Sequence, residues 1–178
     1  PVSDMKPEFD VTKSISSAFG QCVNPHFKMP GNSLEFLSSK AKPVKIKPQE
    51  MLWHAGDQLQ KIHFLSKGLL YAYFETSEGK SFCKEIYWGN DLIFGFRSLL
   101  SGTPLPFYVK AIEGSLLFAV DVKDYWKAIE LDEHWKDFHH AVVQEYYLYK
   151  ETKEEFLLLH NPQQRVVYFY QHYPELVE

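Results

Sequence analysis

Between residues 43 and 120 the chain passes through eight short stretches rich in β-branched and aromatic residues. They are 44–47, 51–54, 61–66, 69–75, 81–88, 92–94, 107–112 and 115–120. Turn formers stand between them: Lys47-Pro48, Ala55-Gly56-Asp57, Lys67-Gly68, Ser77-Glu78-Gly79, Trp88-Gly89-Asn90-Asp91, Ser101-Gly102-Thr103-Pro104 and Glu113-Gly114. Evenly spaced runs of this kind are strands. Parallel neighbours need a crossover of a dozen or more residues, usually a helix, and none is visible in this stretch. The spacing therefore predicts an antiparallel sandwich or barrel, and eight strands is the number of a jelly roll.

At Asp121 the period changes from two to about 3.6. The stretch from Asp121 to Ile129 reads as a capped helix with Tyr125, Trp126 and Ile129 free to pack. A second, longer helix is predicted from Asp132 to His160, with Trp135, Phe138, Val142, Tyr146, Tyr149, Phe156 and Leu159 at three- and four-residue steps. Asn161-Pro162 caps a third helix carrying Val166, Val167, Phe169 and Tyr170, which stops before Pro174. Upstream, residues 14–40 read as short helices, the second starting at Asn32 or Ser33, and residues 1–13 as a mobile polar tail. The expected divisions are thus 1–13, 14–131, 132–160 and 161–178. The fold class is mainly β with C-terminal helices, a double-stranded β-helix (jelly roll) followed by a long helix. About 28 helical residues span ~42 Å at 1.5 Å per residue, more than one small roll needs for cover. Its apolar seam is expected to bury itself against a second copy, giving a homodimer, the alternative being a helix folded back on its own roll.

Charge narrows the partners. The 178 residues hold 19 Lys+Arg against 23 Asp+Glu, a formal charge of −4. Nucleic-acid affinity comes mostly from neutralising phosphates, so these residues are a poor DNA or RNA binder by themselves. Lys40, Lys42, Lys45 and Lys47 form the one basic run and read as a solvated face. Cys22 and Cys83 make no CxxC pair and read as ordinary buried thiols in a reducing compartment. No apolar run reaches the ~20 residues needed to span a bilayer. Pro1–Asp10 lacks the charged and apolar regions of a secretory signal, so the expected location is cytoplasmic, away from membranes. The sequence starts with Pro rather than Met, so it need not begin where the gene product does.

Five segments carry a resemblance. The stretch Lys47-Pro-Gln-Glu-Met-Leu-Trp-His-Ala-Gly-Asp is similar to the opening strand and glycine–acid turn of cyclic-nucleotide-binding domains. Phe64-Leu-Ser-Lys-Gly-Leu-Leu-Tyr-Ala-Tyr follows as strand, glycine turn and strand. Trp88-Gly-Asn-Asp-Leu-Ile-Phe-Gly resembles the approach to the ligand cassette, and Lys110-Ala-Ile-Glu-Gly-Ser the strand after it. Pro162-Gln-Gln-Arg-Val-Val-Tyr-Phe-Tyr-Gln-His-Tyr-Pro-Glu-Leu is similar to the helix after the dimerisation helix of Crp/Fnr-type transcription regulators. The resemblance covers about residues 30–178. It implies a β-roll, a long helix pairing across a dimer, and DNA contact only through a C-terminal helix-turn-helix module that these residues do not contain.

The resemblance also implies a pocket, and here the residues depart from it. The family holds the ribose hydroxyl with a Gly-Glu pair and the phosphate with an Arg followed by Ser or Thr. Gly95 matches the glycine, but Phe96 stands where Glu belongs, and the Arg and Ser positions fall at Leu105 and Pro106. Buried phosphate needs charge-assisted donors, and proline lacks even a backbone N–H. Arg97 is one place out of step. Phe94, Gly95, Phe96, Arg97, Ser98, Leu99, Leu105, Pro106 and Phe107 therefore make a degenerate cassette that does not bind cyclic AMP in the usual way. It is either a pocket for an unknown apolar or flat small ligand or a filled core. Phe138, Val142, Tyr146 and Tyr149 on the long helix are the residues placed to cap it or to pack at the dimer seam.

Other chemistries find no support. His134, His139 and His140 do not share a helical face, and His54 and His63 sit on different strands, so no metal site and no cofactor is expected. No nucleophile elbow, phosphate loop or dinucleotide fingerprint occurs, and no enzyme is expected. The alternative to a regulator is a stand-alone β-roll that binds a small ligand or acts as a scaffold without DNA binding.

Overall fold

The computed structural model describes residues 11–177. Of the expected tail, residues 1–10 lie outside the described residues, and 11–13 are not tail but the first turn of helix α1, Val11–Val23. Helix α2 runs Gly31–Lys40. It starts at an extended Pro30, whose carbonyl accepts from Leu34 N at 3.0 Å, not at Asn32 or Ser33. Ser33 has another role: its carbonyl accepts the Trp135 indole N–H at 2.7 Å.

Eight strands follow, each overlapping one of the eight expected stretches, with β1 starting two residues early and β3 and β8 each ending one residue late. They are β1 Lys42–Ile46, β2 Met51–Trp53, β3 Lys61–Lys67, β4 Leu69–Glu75, β5 Ser81–Trp88, β6 Leu92–Ile93, β7 Tyr108–Ala111 and β8 Ser115–Asp121. They form two four-stranded antiparallel sheets in the orders β1-β8-β3-β6 and β2-β7-β4-β5. The sequence shows no helix among the strands, but a six-residue one is present, α3, Phe96–Ser101. It is bracketed by left-handed Gly95 (φ 57°) and Gly102 (φ 70°). A short apolar run between two glycines has no period long enough to announce a helix.

Successive strand residues point to opposite faces, and the first sheet uses both. Leu65, Ile93 and Leu117 face the second sheet and join Ile46, Leu70, Ala72, Tyr87, Val109 and Ala111 in the interior of the roll. Phe64 and Phe118, a cross-strand pair, face outward under the helices. The Phe64 ring centroid lies 4.7 Å from Phe19, 5.1 Å from Phe94 and 6.5 Å from Phe138. The first two are edge-to-face, and such pairs contribute ~0.5–1.5 kcal/mol each beyond the area they bury.

Helix α4 spans Val122–Leu131 and α5 spans Glu133–Leu159. Asp132 starts α5 by accepting His134 N–H at 2.9 Å. The chain divides into two compact units, and the division falls inside α5 between His139 and His140 rather than at the expected 131/132 boundary. The reason is local: Trp135 and Phe138 are fully buried, 5.2 Å apart, with Phe138 also against Phe64. The first turns of the long helix thus complete the core of the first unit.

In the second unit, Asn161 and Gln164 form a reciprocal cap at the start of α6, Pro162–His172. Arg165 fastens the corner by donating to the carbonyls of His160 (2.8 Å) and Leu157 (2.6 Å). Phe156 packs on Tyr168 at 4.7 Å. Much of this unit's apolar surface faces outward: Tyr147, Leu148, Leu158, Leu159, Val166, Val167 and Tyr170 are all exposed. No helix of the described residues is long and apolar enough to cross a membrane.

Candidate ligand cassette

β2 is a three-residue strand at the edge of its sheet, and its register against β7 is irregular between Met51 and Trp53. An edge bulge re-aims a side chain, and here the result is a buried Trp53. Its indole lies over Gly95. A Cβ on Gly95 would sit 3.1 Å from Trp53 Cζ3, 3.3 Å from Cη2 and 3.2 Å from Leu105 Cδ2. The left-handed backbone favours glycine there, and the ring above it leaves little room for a side chain. Trp53 also lies 6.3 Å from the Phe107 ring and 5.7 Å, edge-on, from the His63 ring. Two backbone hydrogen bonds, Gly56 N–H to Leu105 O and Leu105 N–H to Asp57 O, each 2.8 Å, tie the loop after β2 to Leu105.

The residues singled out in the sequence do not form one lining. Gly95, Leu105 and Phe107 come together under Trp53, the last two within the roll interior. Phe94 turns to the other face, because Ile93 points into the roll and its neighbour must point away. The Phe94 ring lies 5.4 Å from Tyr125 and 5.5 Å from Phe96, so both phenylalanines belong to the cluster under the helices. Ser98 and Leu99 are buried on the inner side of α3, Ser98 donating to Pro104 O at 3.2 Å. Arg97 is exposed on the same helix, and Pro106 is half-buried. Phe138, expected at the pocket cap, is instead in the aromatic cluster on the helix side of the sheet. Val142 is buried, while Tyr146 and Tyr149 lie beneath Lys150, its Nζ 5.0 and 5.2 Å from their ring centroids.

The sequence presents His63 only as a metal ligand to be weighed with His54, and a histidine on an apolar strand carries no further signal. It pairs with Ala119 and Ile93 and shares the roll-side face with Leu65. It is 5% exposed, and its Nδ1 is a fully buried nitrogen without a hydrogen-bond partner among the described residues. Burial, helped by the Lys61 charge, lowers its pKa from 6.5 to about 4, so the ring is neutral at neutral pH. Trp53 was recognised as a strand residue, but an edge bulge cannot be read from spacing.

Other polar groups have structural settings. Tyr125 OH and His139 Nδ1 are 3.0 Å apart, and burial pushes the phenol pKa upward. Burial also raises the Cys22 thiol to about 11, while Cys83, expected to be buried, is exposed on the edge strand β5. Among the described residues no group of three or more His, Cys, Asp or Glu is arranged to hold a metal ion. The interior around Trp53 is therefore packed with hydrophobic side chains, the indole among them, beside one imidazole nitrogen that lacks a partner among the described residues.

The sequence profile of the cyclic nucleotide-binding domain matches residues 43–132, just over half of the chain. The chain belongs to this family. Its fold recurs in the catabolite activator protein of Thermus thermophilus, at 16% identity and a TM-score of 0.63, over 74% of this chain and 61% of that one. The sensor domain of the transcriptional regulator DNR from Pseudomonas aeruginosa matches at 13% identity and a TM-score of 0.65, over 82% and 94%. A cAMP-binding acyltransferase from Mycobacterium smegmatis, in a mutant form, matches at 17% and 0.59, over 71% and 39%. The same fold thus recurs in proteins described as regulators and in one described as an acyltransferase. The chain spans less than two thirds of the Thermus protein. Among curated protein sequences there is no match.

Proposed function

We propose that this chain is the sensor and dimerisation part of a Crp/Fnr-type transcription regulator whose cassette does not hold cyclic AMP. One observation carries the reading: the Trp53 indole and Leu105 occupy the space over Gly95, where the family's ligand approaches. The exposed Arg97 offers the phosphate no buried cation. A buried charge without its partner costs ~2–5 kcal/mol. At 1.4 kcal/mol per decade that is roughly 30- to several-thousand-fold in affinity.

The chain works as a cytoplasmic homodimer without catalysis of its own. The outward-facing Tyr147, Leu148, Leu158 and Leu159 of the long helix supply the apolar surface that a second copy covers. A ligand biases two arrangements of the helix pair, which re-aims DNA-binding modules C-terminal to it.

Two measurements test this. Cyclic AMP at millimolar concentration leaves the melting temperature unchanged, and a rise of several degrees contradicts the cassette reading. Light scattering gives a dimer mass, and a monomer at tens of micromolar contradicts the helix pairing.

A further inference from the structure

We propose that Trp53 is a built-in occupant of the cassette, and that a flat, uncharged aromatic molecule of about indole size displaces it and hydrogen-bonds to His63 Nδ1. The inference rests on the cassette having lost its nucleotide.

Three observations meet at one place. The first is the occupant: an indole fits between Gly95, Leu105, Phe107 and His63, so the space accepts a flat aromatic of that size once Trp53 leaves. The second is the unpaired nitrogen. Buried polar atoms in folded proteins are almost always hydrogen-bonded, and His63 Nδ1 has no partner among the described residues. With the ring proton on Nε2, Nδ1 accepts from an N–H or O–H donor. The surrounding core cluster is apolar, so a charged ligand would be desolvated without compensation, whereas a neutral one with a single donor leaves nothing unsatisfied.

The third is the mounting of Trp53. Strand β2 is three residues long, lies at a sheet edge and pairs with β7 out of regular register. Short, irregular edge elements open more easily than the strands they flank. The loop that follows is hydrogen-bonded to Leu105, so a displaced Trp53 would pull on the far wall of the cassette. The exchange forms and breaks no covalent bond.

The test uses the whole chain with 5-fluorotryptophan at its four tryptophans, the Trp53 signal being assigned with Trp53→Phe. Indole at millimolar concentration is expected to move the Trp53 fluorine resonance and leave the other three in place. Indene has the same shape without the N–H, and should bind about five- to tenfold more weakly, the value of one neutral hydrogen bond. In His63→Phe that preference should vanish. Should this variant fold poorly, long-range proton–nitrogen correlation on the unsubstituted chain gives the same answer, with indole and not indene shifting His63 Nδ1. An unmoved Trp53 signal, equal binding of the two probes, or a preference that survives in His63→Phe overturns the proposal. Cyclic AMP moving the Trp53 resonance would instead overturn the cassette reading itself, whatever indole does.

Discussion

The two faces of the β1-β8-β3-β6 sheet solve the same burial problem differently. On the helix side, Phe64 meets Phe19, Phe94 and Phe138 in tilted and edge-to-face contacts, and every ring is fully or nearly fully buried. On the roll side the lining is mostly aliphatic, and the same strand contributes His63, whose Nδ1 beside Trp53 has no partner among the described residues. The first face is sealed by rings that satisfy one another. The second keeps a polar defect beside the cassette, and the two faces should respond differently to substitution and pH.

The largest effect should come from the sealed face. Phe64→Ala removes a ring in contact with three others and should cost ~3–5 kcal/mol of stability in urea denaturation. A loss under ~1 kcal/mol would mean that the cluster is not packed as described.

Next is the pH response of the roll side. His63 has a folded pKa of about 4 against 6.5 when unfolded, so between these values the unfolded chain binds more protons. Its contribution is intact above about pH 6.5 and is lost as pH falls towards about 4, by roughly 3 kcal/mol in all. The profile of His63→Phe, subtracted from that of the parent, should show this loss. A flat difference would place His63 in contact with water.

Gly95→Ala should cost ~1–2 kcal/mol, since alanine is strained at φ 57° and its methyl would press on the Trp53 ring. Combining it with Trp53→Phe should recover part of the loss if the contact is real, because two touching sites are not additive. The smallest effect is expected from Tyr125→Phe. It removes the hydroxyl 3.0 Å from His139 Nδ1 and should cost ~1 kcal/mol by thermal or urea unfolding.

Much of the fold was legible because it follows from period and punctuation. The glycine, proline and Asx turns cut the chain at the places where the eight strands begin and end, and Asn161-Pro162 marked the α6 cap to the residue. The cassette reading rests on chemistry that the sequence displays directly: Phe96, Leu105 and Pro106 carry no charged or hydrogen-bonding side chain.

The grouping of the cassette was not legible. Phe94 and Leu105 look alike in sequence, but a single alternation step and a left-handed glycine send them to opposite sides of the sheet. Trp53 enters at a register shift of an edge strand, which depends on the partner strand. What distinguishes His63 is the lack of a partner for its buried Nδ1 among the described residues, a property of the packed state that spacing does not carry. Trp135 and Phe138 fit the heptad-like seam as well as they fit a core, and tertiary packing decided between the two.

A crystal structure of this chain soaked in cyclic AMP tests the central claim most directly. The account predicts that the Trp53 ring stays over Gly95 with no nucleotide beside it. A cyclic nucleotide clasped between Gly95 and Leu105, with its phosphate bound and the indole swung out, would contradict it.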